Sequence, residues 1–197
     1  MRININPAIP GFIASGSCLL ELAGAVPPFS AGLMTLQFIV IHSSWFIFGL
    51  PLTLNEKNRP VIFYGLLAAY SAIAFSAGGA PGVVQFAGLT YATYYGYVFH
   101  GGGAQGRVPL ALRWLAAFVF YAAAIVFSGL PDSSGVWVRP ARAALSGAVY
   151  FAALGAMELS GFYETGWKKA ARFVIEKDPA ARDRLPAWLI KAVYGTR

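Results

Sequence analysis

Long apolar stretches, separated by short polar or Pro/Gly-rich segments, dominate the chain. The clearest is 31–54, which is twenty-four residues long and contains no Asp, Glu, Lys or Arg. At about 1.5 Å of rise per residue, a helix of roughly 20 apolar residues crosses a hydrocarbon core of about 30 Å. The pattern therefore predicts a membrane-spanning helix here, with His42 near its middle.

Five further apolar stretches complete a predicted bundle of six spans. They occupy 8–26, 61–77, 83–99, 108–130 and 143–163. The first is the weakest, because it carries three glycines and Glu21, and Pro27-Pro28 then ends it. A five-span chain with an interfacial first segment is the alternative. The predicted fold class is an all-α polytopic transmembrane bundle, most simply of six spans, with an amphipathic C-terminal tail.

The composition agrees with a membrane protein and places most of the positive charge in the tail. Hydrophobic residues make up 57% of the chain and charged residues 12%, whereas soluble domains carry about 25% charged residues. The net charge is +7, and eight of the fifteen Lys and Arg residues follow Trp167. We therefore divide the chain into a transmembrane domain, 1–166, and a basic cytoplasmic tail, 167–197.

The tail contains two stretches, 167–177 and 185–194, in which basic residues alternate with large apolar ones. Helices of this kind lie on a membrane surface, so the tail is expected to contact anionic lipid headgroups in the bilayer. A nucleic-acid partner is not expected, because the basic residues lie beside membrane spans.

Charge distribution sets the predicted orientation. Six spans place both termini on one side, and thirteen of the fifteen basic residues lie at or near that face. The positive-inside rule makes that face cytoplasmic. The chain is therefore interpreted as a multi-pass protein of the plasma membrane, in bacteria the inner membrane, with both termini in the cytoplasm.

Arg113 and Glu158 are expected to form an ion pair between the last two spans. Each lies about five residues from the cytoplasmic end of its span, roughly 8 Å deep. Consecutive helices are usually neighbours, and an ionisable residue at membrane depth normally finds a partner.

Glu21 and His42 form a second candidate pair, on the first two spans. Both fall in the middle to outer half of the membrane, and Gln37 is nearly level with Glu21, so a Glu21–Gln37 hydrogen bond is an alternative. The pair would act either as a proton or cation site, because histidine titrates near neutral pH, or as a polar contact between helices.

Small residues recur every four positions in the sixth span and predict close approach of another helix, from the same bundle, a membrane-protein partner or a second copy. They are Ala144, Ala148, Ala152, Ala156 and Ser160.

The sequence predicts no cofactor, no metal and no catalytic residue. Cys18 is the single cysteine, and neither G-x-S-x-G nor H-E-x-x-H occurs. Haem ligation by His42 and His100 is disfavoured because their depths differ by roughly 10 Å.

Three functions fit this pattern. The first is a small accessory or structural subunit of a membrane assembly, which explains the sparse polar core. The second is a small proton- or cation-linked transporter that uses Glu21 and His42. The third is a membrane enzyme acting on a lipid-borne substrate; it has no supporting motif, so a non-enzyme is preferred while enzyme activity is left open.

Overall fold

The described part of the chain is helical, as the apolar pattern predicts. A computed structural model describes residues 6–44, 55, 57–99, 104–129, 140–178, 180 and 184–195, and no strand occurs among them. The longer helices are α1 (Ala8–Leu22), α2 (Ser30–Ser44), α3 (Arg59–Phe99), α4 (Ala104–Ser128), α5 (Pro140–Leu159), α6 (Trp167–Lys177) and α7 (Ala187–Tyr194). A π-helical turn, Phe162–Gly166, joins α5 to α6. The all-α prediction is confirmed.

Helix α3 is a hairpin of two helical arms. Gly79 has non-helical dihedral angles, φ 62° and ψ −158°, and Pro81 follows it. The rings of Tyr70 and Phe86 are 6.4 Å apart. Sixteen residues of straight helix would separate them by about 24 Å, so the arms fold back on each other. The Gly/Pro-rich segment 78–82 thus divides the two stretches, 61–77 and 83–99, that the apolar pattern predicts as separate helices.

Only part of the predicted set of spans has the length and apolarity of a membrane-crossing helix. Within the described residues, the segment Val108–Ser128 of α4 qualifies alone. Helix α5 qualifies only together with the segment Phe162–Lys177, from which it is bent by 62°. Three other segments, Ala8–Leu22, Ser30–Ile39 and Pro60–Ser76, are apolar but shorter. The end of the predicted second span, 45–54, lies outside the described residues.

Helix α5 is packed against three other helices. Its buried face carries Ala148 and Phe151. One continuous apolar core joins these residues to side chains of every other long helix before the tail: Ala14 and Cys18 of α1, Leu33 and Met34 of α2, Phe63, Phe86 and Leu89 of α3, and Ala117 and Tyr121 of α4.

Helices α1 and α5 approach each other so closely at Gly11 that an added methyl group would be crowded by backbone atoms. A Cβ atom added to Gly11 would lie 3.1 Å from the Cα of Gly155 and 3.2 Å from the carbonyl oxygen of Phe151. One turn further along α1, the hydroxyl of Ser15 donates to the carbonyl oxygen of Ala148 at 2.8 Å. Small residues at this contact allow the two backbones to pack directly.

The predicted stripe of small residues on α5 divides between two faces. Ala144 and Ala148 are buried, Ala152 is half-buried, and Ala156 and Ser160 are exposed. The close contact with α1 uses Gly155 instead, because a stripe repeating every four residues drifts around a helix of 3.6 residues per turn.

The two tail helices lie where the sequence places them, and they pack against the end of α4. Trp167 and Ile175 of α6 and Val193 of α7 form a second buried cluster, which Val108 and Leu112 of α4 adjoin. The Nε and Nη2 atoms of Arg172 donate to the carbonyl oxygen of Val193 at 3.1 and 2.8 Å. Arg172 therefore caps the C-terminal turn of α7.

Replacing Gly11 by Val is expected to destabilise the bundle by roughly 1–3 kcal/mol, the usual cost of overpacking, because the new side chain would meet backbone that cannot move aside. The matched control is Gly16→Val on the same helix, where an added Cβ meets nothing within 4 Å. Thermal unfolding in detergent measures both variants. Equal melting temperatures for the two would contradict the close α1–α5 contact.

Candidate functional site

Two clusters of polar side chains lie at opposite ends of the α4–α5 pair. At one end, Arg113 of α4 meets Glu158 of α5. At the other, the Ser128 and Ser146 hydroxyls are 2.7 Å apart, and Ser128 also donates to the carbonyl oxygen of Ala124 at 2.7 Å. Glu21 lies near this second end, where α1 ends and α2 begins. These clusters are the candidate sites for chemistry.

The sequence-predicted contact between Arg113 and Glu158 is present. Arg113 Nε donates to Oε1 of Glu158 at 2.6 Å, and its Nη2 donates to Oε2 at 2.8 Å. This two-bond arrangement matches the planar guanidinium to the carboxylate, and it is stronger and more directional than a single bond. Arg113 is 6% exposed, so both charges are largely removed from solvent.

An aromatic ring completes the surroundings of Arg113. Its Cζ atom lies 4.7 Å from the ring centroid of Tyr163, and the Tyr163 hydroxyl donates to the sulfur of Met157 at 3.5 Å. Tyr163 occupies the π-helical turn, whose N-terminal neighbour, Gly161, has a φ of 64°. A cation held over an aromatic face gains electrostatic stabilisation. Tyr163 was not among the predicted site residues; the one available signal was Gly161, which favours a break after α5.

The Arg113–Glu158 pair holds α4 and α5 together. Little of its charge is therefore available to bind another group. Because both carboxylate oxygens of Glu158 accept bonds from Arg113, the pair resists separation: removing one member would strand a buried charge. The pair also sets the register of α4 against α5.

Glu21 is used as a helix cap. One carboxylate oxygen, Oε2, accepts the backbone N–H groups of Phe29 and Ser30 at 2.9 and 2.7 Å, and also the Ser30 hydroxyl. The first N–H groups of a helix have no partner within it, and a negative charge there also favours the helix dipole. Glu21 of α1 thereby fixes the start of α2.

The structure does not bring Glu21 and Gln37 together. Gln37 is seven residues beyond Ser30, about 10 Å further along α2. It is buried, and its Oε1 atom has no hydrogen-bond partner among the described residues. The carboxylate is drawn instead to the unpaired N–H groups that the turn at 27–29 presents to it.

The Glu21–His42 pair stays a prediction, because the His42 side chain lies outside the described residues. Its place on α2 is twelve residues beyond Ser30, about 18 Å along the helix axis. The carboxylate of Glu21 is thus engaged at one end of α2 while His42 is near the other. His100, the second ligand weighed for haem, also lies outside the described residues.

A further contact between helices was not predicted. The Nε2 atom of Gln85, on the second arm of α3, donates to the Ser17 hydroxyl of α1 at 2.6 Å. This contact joins two uncharged side chains, as the Ser128–Ser146 contact does. Uncharged polar residues are harder to pair from the sequence than an isolated charge in an apolar stretch. No group of three or more His, Cys, Asp or Glu side chains that could hold a metal ion occurs among the described residues.

We expect Glu158→Gln to lower the free energy of unfolding by about 3–5 kcal/mol, because it leaves Arg113 buried without its counter-charge. Combining it with Arg113→Gln should recover part of that loss. A thermal double-mutant cycle in detergent measures the coupling.

Glu164→Gln is the matched control for this cycle, since Glu164 is exposed and lies six residues further along. It should leave stability within about 0.5 kcal/mol of the parent, as surface substitutions usually do. Additive losses from the two buried substitutions would show that the residues do not interact.

Removing the cap should cost less than breaking the ion pair. Glu21→Ala is expected to destabilise the protein by about 1–2 kcal/mol, the range for losing an N-terminal cap, and Glu21→Gln by less because an acceptor oxygen remains. Glu176→Ala, on the exposed face of α6, serves as the control in the same melting experiment. A Glu21→Ala variant as stable as this control would rule out a capping role.

The chain matches no protein-family model, no curated protein and no solved structure. Its function must therefore be inferred from the surfaces and contacts of its own residues.

Proposed function

We propose that this chain is a polytopic membrane protein of six spans, with both termini in the cytoplasm, that acts as a structural or accessory subunit of a membrane assembly. The strongest support comes from the buried charged side chains, which bind groups on other helices of the same chain. Glu21, Arg113 and Glu158 each hold one helix to another. Within the described residues, the carboxylates of Glu21 and Glu158 accept hydrogen bonds from other parts of the chain.

The outer surface supports the membrane placement. Only 28% of the most apolar part of α4 is buried, and Val126 on this helix is 86% exposed. The central helix of a soluble domain would be mostly buried instead. Exposed large apolar side chains also occur on α1, α3 and α5: Ile13, Leu19 and Leu20; Val61, Phe75 and Val84; Val149 and Leu159. Monomeric soluble proteins rarely expose apolar patches of this extent, whereas lipid or a partner protein would cover them.

The transporter alternative receives less support. It requires Glu21 to exchange protons or cations, but its Oε2 atom already accepts three hydrogen bonds that start α2. Binding and releasing a cation or proton at Glu21 would disturb the hydrogen bonds at the start of α2. A structural role needs no such cycle.

The outward face of α5 is the proposed place for a protein partner. Leu145, Val149 and Ala156 are exposed and recur at helical spacing on one side of this helix. Ala156 and Ser160 leave room for another helix to approach closely. The buried members of the predicted stripe, Ala144 and Ala148, are excluded from this interface because the bundle itself covers them.

Native purification with photo-crosslinking tests the subunit proposal. A photoreactive phenylalanine analogue at position 156 should give a covalent adduct with another membrane protein, and that protein should co-purify at constant stoichiometry in native lipid. The same analogue at position 126, on the most exposed part of α4, should label lipid only.

The controls separate the alternatives. Ala156→Leu should weaken co-purification without changing the melting temperature, because the side chain adds bulk only to the outer face. A preparation that contains no other protein, and yields only lipid adducts at position 156, would refute the subunit role. Adducts between two copies of the chain would point to a homo-oligomer instead.

A further inference from the structure

Helix α6 leaves the bundle at an angle suited to a membrane surface. The segment Phe162–Lys177 is bent by 62° from α5. If α5 runs along the bilayer normal, α6 lies within about 30° of the membrane plane. Trp167, Ala171 and Ile175 face α4 and α7. At about 100° per residue, Phe173 lies about 200° around the helix from Ala171, on the face opposite the core.

That outward face has a large apolar side chain between two lysines. Phe173 is 58% exposed, and Lys169 and Lys177 lie one turn before and one turn after it. The Nζ atom of Lys177 is 4.7 Å from the Phe173 ring centroid. An exposed aromatic ring can enter the headgroup layer while lysines beside it stay within reach of lipid phosphates.

The other charges of the tail are placed differently. Arg172 is bonded at the end of α7, where its Nε and Nη2 atoms donate to the Val193 carbonyl oxygen. Asp178 accepts the backbone N–H of Ala180 at 3.1 Å, and Glu176 is exposed beside the outward face. Over 167–197, eight basic residues still outnumber three acidic ones. The excess charge is therefore complementary to a negative surface.

We infer that the outward face of α6, defined by Lys169, Phe173 and Lys177, docks on an anionic lipid bilayer, with the ring among the headgroups and both ammonium groups on lipid phosphates. The inference rests on the proposed membrane placement. It adds to that placement a surface whose binding depends on the charge of the lipid headgroups.

Fluorescence quenching of the full chain in lipid vesicles tests the inference. In a Cys18→Ala background, single cysteines at positions 173, 126 and 57 carry a bimane label, whose apolar ring replaces that of Phe173. The vesicles contain phosphatidylcholine alone or with 30% phosphatidylglycerol, and the quenchers are brominated lipid or aqueous acrylamide. The label at 173 should be quenched by brominated lipid more strongly in the anionic vesicles.

Charge removal makes the test specific. Because each lysine near an anionic surface favours binding by about fivefold, Lys169→Gln with Lys177→Gln should lower the ratio of docked to undocked α6 by up to about thirtyfold. The composition dependence at 173 should then disappear. Quenching at 173 by acrylamide alone, equal in both kinds of vesicle, would overturn the inference.

Positions 126 and 57 show which proposal has failed. The label at 126, on the exposed side of α4, should be quenched by brominated lipid in both kinds of vesicle, and the label at 57, which is exposed beside the polar turn, by acrylamide in both. If the label at 126 is quenched by brominated lipid in both kinds of vesicle, but quenching at 173 does not depend on anionic lipid, only the proposed docking of α6 is wrong. If 126 is reached by acrylamide instead, the membrane placement itself is wrong.

Discussion

The direct backbone contact between α1 and α5 is the constraint on which the other contacts depend. A Cβ atom at Gly11 or Gly155 would lie 3.1 or 3.3 Å from the backbone of the other helix, so both positions favour glycine. This contact brings the end of α1 to the start of α2, where Glu21 reaches Ser30, and a Cβ added to Gly147 of α5 would lie 3.1 Å from the Cβ of Ser30. Three helices thus meet at small residues, and a larger side chain at Gly11, Gly147 or Gly155 would crowd the neighbouring helix.

Isolated charges were the most informative signal in the sequence. Arg113 and Glu158 could be paired from their depths alone, because an apolar environment gives each charge few other choices. The breaks between helices could also be predicted, since Gly79 with Pro81 and the Pro27-Pro28 pair interrupt helical hydrogen bonding. Helix positions and one long-range contact could therefore be predicted without a structure.

Contacts that involve the backbone could not be predicted in this way. Glu21 was assigned side-chain partners, Gln37 and His42, but its carboxylate binds N–H groups that every residue possesses. The Gly11–Gly155 contact depends on the angle at which two helices cross, and neither glycine reveals that angle. Tyr163 reaches Arg113 only because the π-helical turn redirects the chain after α5.

The break at Gly79 has a consequence for biosynthesis. The two arms of α3 are joined by Gly-Gly-Ala-Pro-Gly, and the whole of 60–99 contains no Asp, Glu, Lys or Arg. The arms pack against each other, as Tyr70 and Phe86 do. Under the proposed membrane placement, this hairpin would enter the bilayer as one unit, and no charged side chain would be carried across with it.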